Sequence, residues 1–151
     1  LPAESRSDLF GVERRYFRRV KSGSEVTLVP ITGSTTIAVG DEVEVQISLR
    51  AEAADEKVHL RDPRPAGLEP DRPESGWKWD LGVSRYEETR DSGANFFFEN
   101  LPAGEYTFKY RLRANLAGEF RSGPAQVQSI YAPEFVAYSA GEKLRIDAAS
   151  R

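Results

Sequence analysis

The 151-residue chain carries 39% hydrophobic and 30% charged residues, enough apolar material for one ordinary domain with a single core. Its net charge of −3 argues against a generic nucleic-acid binder held by phosphate contacts. With no cysteine it can form no disulfide, thiolate nucleophile or Cys-based zinc site, and no stretch approaches the ~20 apolar residues of a membrane span.

Residues 1–10 are polar and unpatterned and are expected to be a linker. The chain begins with Leu and shows no signal peptide, so it is expected to be an excerpt or a processed product. Arg14, Arg15, Arg18, Arg19 and Lys21 form a local basic run, read as a solvated strand face. A short alternation at Val26–Leu28 follows. After Gly40-Asp41, the residues Val43, Val45, Ile47, Leu49 and Ala51 alternate with Glu42, Glu44, Gln46, Ser48 and Arg50, which marks a half-buried strand.

Val58-His59-Leu60 is a further short strand, with His59, the single histidine, on its outward face. Residues 62–82 hold Pro63, Pro65, Pro70 and Pro73 and are expected to be a long loop, because proline has no N–H for a central ladder. Asp91-Ser92-Gly93 predicts a hairpin turn. Phe96, Phe97 and Phe98 put rings on both faces of one strand, so Phe97 is covered either by the long loop or by another domain. Leu101-Pro102-Ala103-Gly104 is a tight turn before the strongest strand, where Tyr106, Phe108, Tyr110, Leu112 and Ala114 alternate with cationic neighbours. Tyr106 is placed for a structural tyrosine corner, its hydroxyl bonding back to the chain just upstream. Leu144–Ile146 gives a last short strand. No segment holds a helical period, so the expected fold class is an all-β antiparallel sandwich, immunoglobulin- or fibronectin-III-like, with seven or more strands over residues 11–148 and a tail at 149–151.

The chemistry-bearing residues are sparse. His59 lacks the partners for a metal site or a nucleophile triad, and no G-x-S-x-G is present. Glu69, Asp71, Glu74 and Asp80 flank two tryptophans, but their proximity in sequence does not set the carboxylate separation a glycosidase needs. Trp77 and Trp79, two residues apart, share one face of an extended segment. Packing in the core or under a loop is the ordinary role of such large indoles; exposed together, they would suit a carbohydrate-binding platform. No enzymatic activity, metal or cofactor is expected.

Several stretches in order resemble the C-terminal macroglobulin-type domain of bacterial alpha-2-macroglobulin family proteins. Gly11-Val12-Glu13-Arg14-Arg15-Tyr16-Phe17 is similar to that domain's opening strand, and Val39-Gly40-Asp41-Glu42-Val43-Glu44-Val45 to its next long strand. Asp62-Pro63-Arg64-Pro65-Ala66-Gly67-Leu68-Glu69-Pro70, Asn95-Phe96-Phe97-Phe98, Leu101-Pro102-Ala103-Gly104-Glu105-Tyr106 and Tyr110-Arg111-Leu112-Arg113-Ala114 continue the likeness. Tyr131-Ala132-Pro133-Glu134-Phe135 resembles the late "M-Y-x-P-E" segment, with Ile130 where relatives often carry Met.

The resemblance implies a non-catalytic structural and interaction domain of a periplasmic or cell-surface protease inhibitor, docked on the neighbouring thioester-type domain of its parent chain. Partners would be other domains of that chain, and target proteases only through the parent; no nucleic acid and no membrane insertion are expected. The Cys-x-x-Gln thioester of many relatives cannot lie in this cysteine-free chain. Trp77, Trp79, Phe97, Ile130, Tyr131, Pro133, Glu134 and Phe135 are the expected interdomain contacts. Ile130 would serve as an apolar lid over the thioester; alternatively Ile130 or Tyr131 packs in the core. The other functional reading is a carbohydrate-binding module using Trp77 and Trp79.

Overall fold

A computed structural model describes residues 9–33, 35–72 and 75–148. Fourteen strands and no helix run through them. They are β1 (Phe10–Ser22), β2 (Glu25–Pro30), β3 (Thr36–Ala38), β4 (Glu42–Ala51), β5 (Asp55–Pro63), β6 (Leu68–Pro70) and β7 (Ser75–Asp80), then β8 (Val83–Arg90), β9 (Gly93–Leu101), β10 (Gly104–Ala114), β11 (Gly118–Ser122), β12 (Gln126–Ser129), β13 (Val136–Tyr138) and β14 (Glu142–Asp147). One sheet has the order β2-β1-β4-β10-β6, a second β13-β12-β5-β9-β8-β7, and a third, small one β11-β14-β3. All pairings are antiparallel except β14 with β3.

The period-two alternation decides which face is buried. Val43, Val45, Ile47 and Leu49 of β4, with Phe108 and Leu112 of β10, turn inward from the five-stranded sheet. Val58, Leu60, Phe96, Phe98 and Val127 face them from the six-stranded sheet. Phe108 meets Phe96 at 5.4 Å and Phe98 at 5.5 Å between ring centres, so the two sheets interlock through rings. Each fully buried ring contributes about 1.5–3 kcal/mol relative to exposure. The small sheet closes one end with Ile37, Leu144 and Ile146. There the chain passes so close that a Cβ on Gly67 would lie 2.4 Å from the Phe120 ring, which is why this turn carries glycine.

Two sequence expectations change. The proline-rich stretch is not one long loop, because it contains the end of β5, all of β6 and all of β7. Pro63 and Pro70 stand at strand ends, and β6 is an edge strand, so the missing N–H groups interrupt no central ladder; Pro73 lies outside the described residues. The basic run is not one solvated face either. Arg14 points inward at 4% exposure while Arg15 points out. At the chain's start, Phe10 opens β1 and is fully buried, so the core begins inside the stretch read as linker. Residues 1–8 and 149–151 lie outside the described residues.

Candidate interdomain contact surface

The register of the six-stranded sheet builds the surface. Trp77 of β7 pairs with Tyr86 of β8, Tyr86 with Phe97 of β9, Phe97 with His59 of β5, and His59 with Gln128 of β12. Residues directly opposite one another share a face, so these five form one row across the outer side of the sheet, roughly 19 Å long at ~4.8 Å per strand. Trp77 meets Tyr86 edge-on at 5.5 Å, Tyr86 lies 6.5 Å from Phe97, and Phe97 stacks parallel on His59 at 4.6 Å. His59 Nε2 is 2.8 Å from Asn95 Oδ1, which fixes the plane of the imidazole.

Trp79 extends the same face one pair further along β7, opposite Ser84. The tight turn that follows forces this geometry: Leu81 and Gly82 both take positive φ, as a two-residue hairpin with right-twisted strands requires. Neither indole is packed in the core or under a loop: Trp77 is 65% and Trp79 72% exposed. That corrects the packed role expected for them. β7 is an edge strand, with no strand paired on its other side among the described residues.

The β12–β13 loop carries the other expected contacts and joins the row at its far end. The Gln128 amide donates to the Pro133 carbonyl at 2.9 Å, the Ile130 N–H donates to the Lys57 carbonyl at 2.8 Å, and the Ser129 N–H donates to the Phe135 carbonyl at 3.0 Å. These bonds hold the loop while its side chains point outward: Ile130, Tyr131 and Phe135 are all exposed, as are Pro133 and Glu134. The alternative of Ile130 or Tyr131 packing in the core is therefore overturned. Phe97, at 36% exposure, is not covered by the proline-rich stretch.

A second constellation was not legible in the sequence. Arg14 of β1 forms an ion pair with Asp62 of β5, both side chains fully buried. The Tyr110 hydroxyl donates to the same carboxylate, and Arg14 also donates to Ser122 Oγ at 2.8 Å and to the Ala140 carbonyl at 3.4 Å. Ser122 Oγ in turn accepts from the Glu142 N–H at 3.1 Å. Burial outweighs the attraction of Arg14 and holds the Asp62 carboxyl above the usual carboxylate range. Burial likewise raises the Tyr16 and Tyr110 phenols. The cluster is sealed between the sheets and tied to strands from all three, the arrangement of a structural clamp. Its signal in the sequence is the Asp62 and Tyr110 positions inside the stretches already noted.

The remaining candidates have local partners. Asp71 accepts from Arg113, Asp80 from Arg85, and Glu69 from Asn115; Glu74 lies outside the described residues. Tyr106 donates to the Pro102 carbonyl, four residues upstream, at 2.7 Å. Among the described residues no group of three or more His, Asp or Glu is placed to hold a metal ion.

Residues 10–134 match the family model described as the bacterial alpha-2-macroglobulin MG10 domain. In structure the chain is similar to a Salmonella alpha-2-macroglobulin mutant, with a TM-score of 0.72 and 20% identity over 95% of this chain and 9% of that one. It is similar also to native Escherichia coli alpha-2-macroglobulin from domain MG7 to the C-terminus, at a TM-score of 0.71 and 18% identity over 97% of this chain and 24% of that one. The elastase-activated Escherichia coli protein gives a TM-score of 0.71 at 20% identity, over 97% of this chain and 14% of that one. In sequence the chain is 26% identical over 124 residues to Circularly permutated Ras protein 2 of Dictyostelium discoideum, covering 82% of this chain and 3% of that protein.

Proposed function

Because this chain belongs to the bacterial alpha-2-macroglobulin MG10 domain family, we propose that it is a non-catalytic docking module of a larger protease-trapping chain. The aromatic side of the six-stranded sheet seats on the neighbouring thioester-type domain of that parent. The single observation that carries the reading is the continuous aromatic row from Trp77 through Tyr86 and Phe97 to His59, exposed at Trp77 and Phe97 and half-buried at Tyr86 and His59, ending at the outward Ile130–Phe135 loop. Hot spots of protein interfaces are enriched in Trp and Tyr set in apolar surroundings. Ile130 and Tyr131 stand free of the core and provide the apolar cover that excludes water from a thioester on the neighbour. The parent acts in the periplasm or at the cell surface, and proteases are met through it.

The experiment mixes this chain with the preceding domain of its parent and follows the mixture by size-exclusion chromatography with light scattering. A one-to-one complex, lost in the Trp77→Ala, Phe97→Ala, Tyr131→Ala triple variant, supports docking through this face. A triple variant that docks as the wild type does removes the proposal.

The exposure of both indoles favours a second reading, carbohydrate binding on Trp77 and Trp79. There the intrinsic fluorescence shifts with an oligosaccharide, and the shift disappears when both are changed to Ala.

A further inference from the structure

The sandwich has an open side between β10 of one sheet and β7 of the other. β10 pairs with β4 along its length, but its opposite side meets β6 only at Leu112, Arg113 and Ala114. The flanking hydrogen bonds fix which backbone groups face that side. Ala114 turns its N–H and carbonyl toward Asp41 and Gly40, on the β4 side, whereas the Arg111 carbonyl accepts from Asp71 at 3.3 Å and the Asn115 N–H donates to Gly67 at 2.9 Å, on the β6 side. The register of β10 with β4 runs without a bulge. Strand alternation therefore aims the N–H and carbonyl groups of Glu105, Thr107 and Lys109 at the open side, where no strand among the described residues pairs with them.

The opening has a charge of its own. A cleft of about 630 Å³ lies between the strands, lined by Arg72, Lys78, Lys109 and Arg111, with Trp77 at its lip. Among the described residues its two carboxylates are already engaged, Asp71 by Arg113 at 3.1 Å and Glu87 by Arg85 at 2.6 Å and Lys78 at 3.3 Å. Arg72, Lys109 and Arg111 have no carboxylate within ion-pair distance among the described residues. A protein of net charge −3 thus keeps a local cationic cleft beside an unpaired strand edge.

We propose that this edge receives an extended acidic peptide segment, which adds to β10 as a strand. Strand addition uses main-chain hydrogen bonds for affinity and alternate side chains for selection. Along the edge, Thr107, Lys109 and Arg111 face outward and Phe108 inward. The matching ligand alternates acidic residues, which meet Lys109 and Arg111, with apolar ones, which lie over the Phe108 side. The cleft adjoins the aromatic row at Trp77, but the β10 edge itself carries none of that row's side chains.

The test uses the 151-residue chain and a labelled, end-capped peptide alternating Glu and Val, with an otherwise identical Lys–Val peptide as control. The acidic peptide should raise fluorescence anisotropy, the Lys peptide should not, and a Lys109→Glu, Arg111→Glu double variant should weaken binding about tenfold or more. Hydrogen exchange at the Glu105, Thr107 and Lys109 amides should slow when the peptide binds. Thr107→Pro, tolerable on an edge and lacking the N–H, should abolish that binding while circular dichroism stays unchanged. No binding overturns the proposal. So does binding that leaves the three amides unprotected and survives Thr107→Pro, which is charge attraction alone and equally open to a sulfated oligosaccharide. Protection of the same amides without peptide, in a dimer seen by light scattering, assigns the edge to a second copy and overturns it as well.

Discussion

Arg14 and Asp62, separated by 48 residues, form an ion pair from which solvent is excluded on both sides. Arg14 continues to Ser122 and the Ala140 carbonyl, so one guanidinium links the five-stranded sheet, the six-stranded sheet and the small closing sheet. Removing one partner leaves the other charged and buried, which costs about 3–5 kcal/mol. Asp62→Ala and Arg14→Ala should each lose stability on that scale in urea unfolding. The double change Arg14→Met with Asp62→Leu should be far milder than the sum of the two. A double variant as unstable as that sum contradicts the coupling.

Tyr110 supplies the other hydrogen bond to Asp62. Hydrogen bonds to charged groups are worth about 1.5–3 kcal/mol. Tyr110→Phe keeps the ring against Phe96 and removes only the hydroxyl, so its cost in urea unfolding should fall in that interval. Tyr106→Phe, at a partly exposed turn, should cost only about 0.5–1.5 kcal/mol.

The same cluster makes the protein sensitive to alkali. Burial raises the Tyr16 and Tyr110 phenols above the ordinary value of 10.0, with the neighbouring Asp62 charge acting in the same direction. The unfolded chain then releases those protons first. Their stabilisation is complete below about pH 10 and declines as pH rises above it, by up to about 1.4 kcal/mol per pH unit for each phenol. Urea midpoints measured from pH 8 to 11 should be level at first and then fall, and Tyr110→Phe should fall less steeply. Equal slopes in the two proteins would count against the cluster as the cause.

Gly93 tests the β8–β9 turn. Its φ of +143° disfavours any L side chain, and a Cβ there would sit 2.1 Å from the Asp62 carbonyl oxygen. Gly93→Ala should destabilise by more than the ~1–3 kcal/mol of backbone strain alone, because β5 must also move. Thermal unfolding measures it, and a change below that interval contradicts the placement.

Strand patterning made β4 and β10 legible, since both are half-buried and alternate cleanly. Residues around β6 and β7 were not, because prolines at strand ends read the same as prolines in a loop until pairing is known. Trp77 and Trp79 were correctly placed on one face, but burial of that face depends on β7 being an edge. Arg14 was hidden for a different reason. In a run of arginines, period two sends alternate residues to opposite faces, and only the position of Asp62 in space tells which arginine goes inside. The proposed contact residues at Phe97 and in the Ile130–Phe135 loop come to one side of the sheet because Phe97 pairs with His59 and His59 with Gln128, next to that loop, which connects positions far apart in sequence.

The most direct measurement of the docking claim is light scattering of this chain with the preceding domain of its parent, wild type against the Trp77→Ala, Phe97→Ala, Tyr131→Ala variant. These side chains lie on the surface, so the variant should unfold like the wild type while the one-to-one complex disappears. A complex of unchanged stoichiometry and affinity in the folded variant would contradict docking through the aromatic face.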